Sequence, residues 1–368
     1  MHPSSEAELA EAIRDAAGPL RLRGGGTRPV GRPVTGEVLE TGGLAGISFY
    51  EPGALTVVAG AGMALADLEA ALAAERQRLP FEPMDHRGLI GEAGAPTLGG
   101  MVAANASGPR QVVAGACRDS LIGLRMVDGQ GQVIRNGGRV MKNVTGYDLV
   151  KLLAGSWGTL GVITEVAFKL LPAPEAAATL EIADLTPERA VAAMAAALGS
   201  PYEVNGAAHL PDGRTVLRLE GFATSVGYRA GELAAALARF GPARRLDDAE
   251  TAALWRDVRD VAAFHGQAGD VWRVACRPGD AAALAARGGG QALFDRGGGI
   301  LWLMVDQGTD LRARLGHFAG HATLIRATEE TRRALPSFPP EPAPVAALAE
   351  GLRQRFDPHG ILNPGLMT

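Results

Sequence analysis

The sequence predicts an α+β chain: a glycine-punctuated N-terminal domain, then a domain built on an antiparallel sheet with helices on one face. Three observations carry this. The chain has 368 residues, 47% of them apolar and 21% charged, enough for two domains that each bury a core. Up to about residue 170, short β-rich segments alternate with glycine-rich turns, and Pro172 and Pro174 then break the pattern. Beyond them, alternating apolar strands surround Ala-rich helices twice in a similar order. We therefore divide the chain into residues 1–175, 176–334 and 335–368, the last a proline-rich connector with a C-terminal helix and tail that returns to the first domain.

Composition excludes several functions. A net charge of −4 argues against nucleic acid or an anionic membrane surface as the main partner. The two cysteines, Cys117 and Cys276, have no metal-ligand spacing, so this chain alone builds neither a disulfide framework nor an iron–sulfur cluster. No apolar run approaches the roughly 20 residues of a membrane span, and the N-terminus lacks a basic region followed by an apolar one. A cytoplasmic location is expected, with any membrane attachment made through partner subunits.

Taken in order, Ser4 or Ser5 caps a helix over residues 6–17, and Leu20–Arg23 is a strand running into Gly24-Gly25-Gly26-Thr27. Consecutive glycine amides at a strand end suit an anion; a flexible surface turn is the alternative. The stretch 55–65, with Gly60 and Gly62, imitates a Rossmann turn, but Leu65 occupies the third glycine position, so a βα unit of the core is expected there. The run Pro96-Thr97-Leu98-Gly99-Gly100-Met101-Val102-Ala103-Ala104-Asn105-Ala106-Ser107-Gly108-Pro109 is rich in small residues, where backbone can touch a ligand. Residues 120–127 and 132–135 form a hairpin about Asp128-Gly129-Gln130-Gly131, and a strand over 162–170 follows the third glycine stretch, Gly155–Gly161. In the second half, strands are expected at 179–182, 206–210, 215–219, 271–276, 292–294, 300–305 and 322–325. Helices are expected at 188–198, 228–240, 280–287, 311–318 and 345–356, giving two βαββα-like halves.

The ordered combination RGGGT, PTLGGMVAANASGP, RDSLIGLRMVDGQG, KNVTGYDLVKLLAGSWGTLGVITEVAFKLLP and the terminal DPHGILNPG resembles FAD enzymes of the vanillyl-alcohol oxidase type. More closely, it resembles the FAD-binding E subunits of bacterial glycolate oxidases. The resemblance covers nearly all of residues 4–175 and the tail; residues 176–320 match only loosely. It implies a PCMH-type FAD-binding domain of two α+β subdomains followed by a cap domain. It also implies that Gly24, Gly25, Gly26 and Thr27 hold the FAD pyrophosphate. By the same resemblance Thr97, Leu98, Gly99, Gly100, Asn105 and Gly108 line the ribityl chain and flavin, and Gly161, Val162 and Ile163 pack along the adenine side.

Departures from the family matter too. Many relatives tether FAD through a His after the glycine loop; here the chain reads Arg28-Pro29-Val30-Gly31-Arg32, which implies non-covalent FAD. Cys117 can in principle form a flavin thioether, although a buried small hydrophobe is the other reading. Relatives that oxidise 2-hydroxy acids directly carry a metal-binding His cluster; no equivalent is read here, and Gly320 interrupts any helix joining His317 to His321. As catalytic candidates we take Arg256 and Arg259, three apart on one helix face and able to grip a carboxylate, and His321 in the segment GHATLIR. A solvated Arg–Asp face is the alternative for the arginines. Lys142 and Tyr147 are placed either near the flavin or in interdomain hydrogen bonds.

The resemblance implies an FAD-dependent oxidoreductase subunit that converts glycolate, a small 2-hydroxy acid, to glyoxylate. Its partners would be a second FAD-binding subunit and an iron–sulfur subunit. A self-sufficient FAD oxidase of another hydroxylated molecule, or a flavin-binding assembly subunit without catalysis, are the competing readings.

Overall fold

The computed structural model describes residues 1–139 and 146–368; Lys142 therefore lies outside the described residues. The first helix, Glu6–Arg14, starts where the Ser5 hydroxyl accepts the Glu8 amide, and it buries Leu9, Ala10 and Ile13. The strands that follow are β1 (Leu20–Arg23), β2 (Glu37–Glu40), β3 (Ile47–Glu51), β4 (Thr56–Gly60), β5 (Gln77–Arg78), β6 (Leu121–Val127), β7 (Val133–Gly137), β8 (Val162–Lys169) and β9 (Leu171–Pro172). β1 and β2 pair in parallel as a small ribbon. A five-stranded antiparallel sheet has the order β3-β4-β8-β6-β7.

Local chemistry explains these elements. The β6–β7 hairpin turns where Asp128 Oδ1 accepts the amides of Gln130 and Gln132 at 2.9 and 2.8 Å. β4 runs antiparallel to both its neighbours, so the segment that imitates a Rossmann turn cannot be a parallel βαβ unit. Its helix, Leu65–Ala74, begins without a side-chain cap, and the Leu65 amide instead bonds the Pro96 carbonyl. The small-residue run folds in part as a helix, Leu98–Ala103, because Thr97 Oγ1 caps it by accepting the Gly100 amide.

The second half supplies β10 (Ala176–Ile182), β11 (Gly206–His209), β12 (Thr215–Gly221), β13 (Ala243–Leu246), β14 (Asp270–Cys276), β15 (Gln291–Asp295), β16 (Ile300–Val305) and β17 (Gly320–Arg326). They form one antiparallel sheet, ordered β13-β10-β12-β11-β15-β16-β14-β17. Read inward from either edge, this order is the same βαββαβ unit twice, meeting at the single His209–Phe294 pair. The duplication expected from element order is thus present in the topology. β13 was not expected, since Ala243-Arg244-Arg245-Leu246 is a charged edge strand without alternation.

One face of this sheet packs its Leu217, Trp272 and Leu301 against the helices Pro187–Leu198, Ala223–Ala236, Ala281–Gly288 and Leu311–Leu315. The opposite face carries Val216, Val271, Leu293, Trp302 and Ile325. It is covered by Trp255 and Val258 of the helix Asp248–Asp260 and by Val30, Met84 and Leu89 of the N-terminal region. Trp255 is fixed by its indole N–H, which donates to Thr179 Oγ1 at 2.9 Å.

The two regions are locked by a buried charge network. The Arg78 Nη atoms donate to both oxygens of Glu220 at 3.0 Å each. Arg110 donates to the same carboxylate at 3.0 and 2.7 Å. Arg218 forks onto Glu82 at 2.7 and 2.9 Å, and Asn205 bridges Arg218 and Glu220. Burial alone would raise both carboxyls, yet the Arg218 and Arg110 guanidiniums hold Glu82 and Glu220 below the usual range.

Glu220→Gln should therefore cost about 3–5 kcal/mol at neutral pH, because it leaves Arg78 without its carboxylate and Arg110 and Arg218 sharing Glu82 alone. Urea denaturation followed by tryptophan fluorescence measures this. A depressed carboxylate stabilises fully above its unfolded value of about 4.3 and loses that contribution as pH falls toward its folded value, so the variant should show a shallower acid-side decline.

Candidate functional site

A cleft of about 560 Å³ lies between the Gly24–Thr27 loop, the start of the Leu98–Ala103 helix, the Trp157–Ile163 turn and the C-terminal tail. Backbone-to-backbone packing builds it. A Cβ on Gly25 would stand 1.6 Å from the Ala95 carbonyl oxygen, so only glycine allows the two loops to meet. Gly158, at φ +74°, sits where a Cβ would strike Leu22 and the Asn363 amide. Asn363 in turn accepts the Leu22 amide and donates to the Trp157 carbonyl, each at 2.9 Å, tying the tail across the cleft wall. Among the described residues, the amides of Gly25, Gly26 and Thr27 donate to no protein acceptor. With Arg23, Arg28, Arg32, Arg332 and Arg333 on the lining, they suit a phosphate-bearing ligand. The buried Arg332 Nε also lacks a partner. These residues fit a pyrophosphate-linked cofactor such as FAD.

The cleft brings together Gly24, Gly25, Gly26, Thr27, Thr97, Gly99, Gly100, Gly161, Val162 and Ile163. Three other expected positions lie off its wall. Leu98 is fully buried in the core, and Asn105 Oδ1 accepts the Arg118 amide. Gly108 closes on the Glu82 carbonyl and the Arg259 side chain. Cys117 is buried, its amide bonded to Ser107 Oγ, and burial pushes its thiol up.

A second group of polar residues gathers where the N-terminal region faces the second sheet. Val271, Arg273 and Ala275 alternate onto the face of β14 that meets Val30 and Met84. The Arg273 side chain makes no hydrogen bond or close ion pair among the described residues, and desolvation, only partly offset by the Asp295 charge, pushes its guanidinium down to about 9, still cationic at neutral pH. Neighbouring Arg296, at the strained φ of +54°, reaches the N-terminal region by donating from Nη2 to the Ser107 carbonyl at 2.8 Å; its buried Nε has no hydrogen-bond partner. Burial raises the Asp295 carboxyl between them. Across the seam, Arg28 donates from Nε to His86 Nδ1 at 3.2 Å and from Nη2 to the Met84 carbonyl at 3.1 Å. His86 Nδ1 also lies 3.3 Å from the Met84 carbonyl, and burial with the Arg28 charge holds the imidazole down to about 3.

His321 is opposite Ala275 on β17, diagonal to Arg273 on the same face. It is exposed, and desolvation together with the Arg273 and Arg312 charges lowers its imidazole. Arg256 is exposed on the helix Asp248–Asp260, while Arg259 forks onto Asp260 at 2.8 and 2.7 Å, so the two do not act as one grip. His317 follows Gly316, which ends its short helix at φ +63°. Tyr147 is 88% exposed.

Sequence reasoning passed over Arg273, Arg296, Asp295 and His86 and gave Arg28 no role of its own. A signal existed for the first: Arg273 is the lone charge in the apolar strand Val-Trp-Arg-Val-Ala-Cys, and an unpaired charge on a covered face asks for a partner.

Residues 1–137 match the family described as FAD binding domain. Across 365 residues the chain is 35% identical to the glycolate oxidase subunit GlcE of Escherichia coli (strain K12), covering 98% of this chain and 95% of that one. A stretch of 84 residues, 23% of this chain, is 48% identical to the glycolate oxidase subunit GlcD of Bacillus subtilis (strain 168), covering 18% of it. A stretch of 176 residues is 36% identical to the D-lactate dehydrogenase of Archaeoglobus fulgidus, covering 46% of this chain and 38% of that one. In three dimensions the chain matches an alkyldihydroxyacetonephosphate synthase with a TM-score of 0.72 at 17% identity, over 99% of this chain and 76% of that one. That likeness shows the fold.

Gly25→Ala should force the two loops apart and weaken FAD retention at least tenfold, about 1.4 kcal/mol. Flavin fluorescence during titration of the cofactor-stripped chain measures it; an unchanged affinity would contradict the close-packed cradle.

Proposed function

The chain belongs to the family of FAD-linked oxidoreductases that includes glycolate oxidase subunit GlcE, and from that premise we propose that it oxidises glycolate to glyoxylate within a multi-subunit assembly. The observation that carries the substrate class is Arg273, a half-buried cation that makes no close ion pair among the described residues, with Asp295 acting on it only at longer range, on the sheet face turned toward the cofactor-bearing region. A carboxylate is the partner such a guanidinium accepts best, because its planar fork matches two oxygens.

Bound FAD supplies the two-electron acceptor that takes the α-hydrogen as a hydride. The residues of the chain orient and neutralise. Arg273, with Arg296 beside it, holds the carboxylate and thereby fixes the hydroxyl-bearing carbon. His321, its imidazole lowered by desolvation and then by the neighbouring arginines, accepts the hydroxyl proton. Neutral His86 separates Arg28 from Arg273 without adding charge. Trp302 and Met84 cover the seam and limit water.

The electrons then leave the chain. With only Cys117 and Cys276 available, an iron–sulfur relay has to come from a partner. The subunit names of the E. coli and B. subtilis relatives support a multi-subunit assembly, in which we place a second flavin subunit beside the iron–sulfur one. Arg256 and Arg259 have no part in this scheme.

Two outcomes test it. Glycolate added anaerobically to the FAD-loaded chain should bleach the flavin bands, and bands that persist until partners are added would move substrate oxidation to another subunit. Arg273→Met should raise the half-saturating glycolate concentration about 10- to 100-fold, as expected for a lost charge-assisted pair, with a smaller effect on the limiting rate. His321→Gln should remove the acid limb of the rate profile, which in the unaltered chain falls as pH drops below an ionisation lower than the ordinary His value of about 6.5.

A further inference from the structure

We propose that Arg28 sets the electron affinity of the bound flavin by holding an unneutralised guanidinium beside the ring, where it stabilises the negative charge left by hydride uptake. The inference rests on the reading that the flavin lies along Thr97–Gly100. Arg28 lines the cleft, and its Nη1 is 3.7 Å from where a Cβ on Gly100 would stand. Its other nitrogens are fixed by His86 and the Met84 carbonyl, so the side chain has one geometry, and Nη1 is left without a partner among the described residues. It makes no ion pair there either.

The surrounding groups leave that charge available. Asp85 is forked by Arg87, whose Nε donates to Oδ1 at 3.1 Å and whose Nη2 donates to Oδ2 at 2.7 Å, and it reaches Arg28 only as a longer-range charge. His86 is neutral, and burial keeps the Cys117 thiol protonated. Arg273 adds a second positive charge beyond His86, while Glu92 and Glu329 stand among the residues lining the cleft. Although burial lowers Arg28 to about 10, it remains a cation at neutral pH. The charge balance is simple. The substrate carbon gives the ring a hydride, two electrons and one proton, and its hydroxyl gives a proton to the base; the carbon becomes a carbonyl and the ring gains one negative charge. An adjacent desolvated cation favours that state over the oxidised ring.

The test compares FAD-loaded wild type, Arg28→Gln and Arg28→Lys in a reductive titration with dithionite and reference dyes, alongside FAD binding. Arg28→Gln should lose at least a tenfold preference for the reduced flavin, which is about 30 mV in a two-electron midpoint potential. It should also bind sulfite at least tenfold more weakly, while Arg28→Lys keeps most of both. If Arg28→Gln instead loses FAD affinity with an unchanged potential, the guanidinium serves the pyrophosphate and the proposal is overturned. Should Arg28→Gln not fold, the wild type alone decides. A charge-stabilised ring takes up two electrons with one proton, giving about 30 mV per pH unit from roughly pH 8 down to 5.5; a slope that steepens to about 59 mV over that range contradicts the proposal. A chemical reductant makes the result independent of whether glycolate is the substrate.

Discussion

Glu82 and Glu220, almost closed off from water, are shared among Arg78, Arg110 and Arg218, and the relation between the two sheets depends on that sharing. Three guanidiniums against two carboxylates leave the network one positive charge in excess. Asp295 feels both Glu82 and Arg273, which links the lock to the arginines at the seam. Such charges are costly to bury, and the protein tolerates them where each is forked onto a carboxylate. Arg273 and Arg28, at the seam, are not forked onto any carboxylate among the described residues.

The cofactor cleft follows a different rule. Its walls are backbone, brought close by glycines whose Cβ positions are already occupied by neighbouring carbonyls, and its free amides and arginines converge where a phosphate chain would run. Asn363 pulls the C-terminal tail over the Trp157 turn, so residues 341 positions apart close one wall. The rigid cleft and the charged seam meet at Arg28, which belongs to both.

Much of this was legible in the sequence. The Asp128 hairpin, the Ser5-capped helix and the repeated strand–helix order follow from local pattern, because turn chemistry and period are local properties. The glycine loops expected to face a ligand do line the cleft, while Leu98, Asn105 and Gly108 lie behind its wall. What could not be read was the seam. Arg256 and Arg259 look paired on a helix, yet Asp260 captures Arg259; Arg273 looks like an oddity in a strand until the fold places Met84 and His86 across from it. Contacts between residues some 190 positions apart, such as Arg296 with Ser107, leave no local signature. β13 escaped for the opposite reason, since an edge strand needs no apolar pattern.

The central claim is that a carboxylate completes the charge at Arg273 next to the flavin. The most direct measurement is a titration of the FAD-loaded chain with oxalate, a carboxylate that has no α-hydrogen to donate, following the flavin absorption bands in the unaltered chain and in Arg273→Met. A saturable spectral shift is expected, weakened at least tenfold in the variant, about 1.4 kcal/mol of lost binding. Equal oxalate affinity in both proteins would contradict it and would place the anion elsewhere.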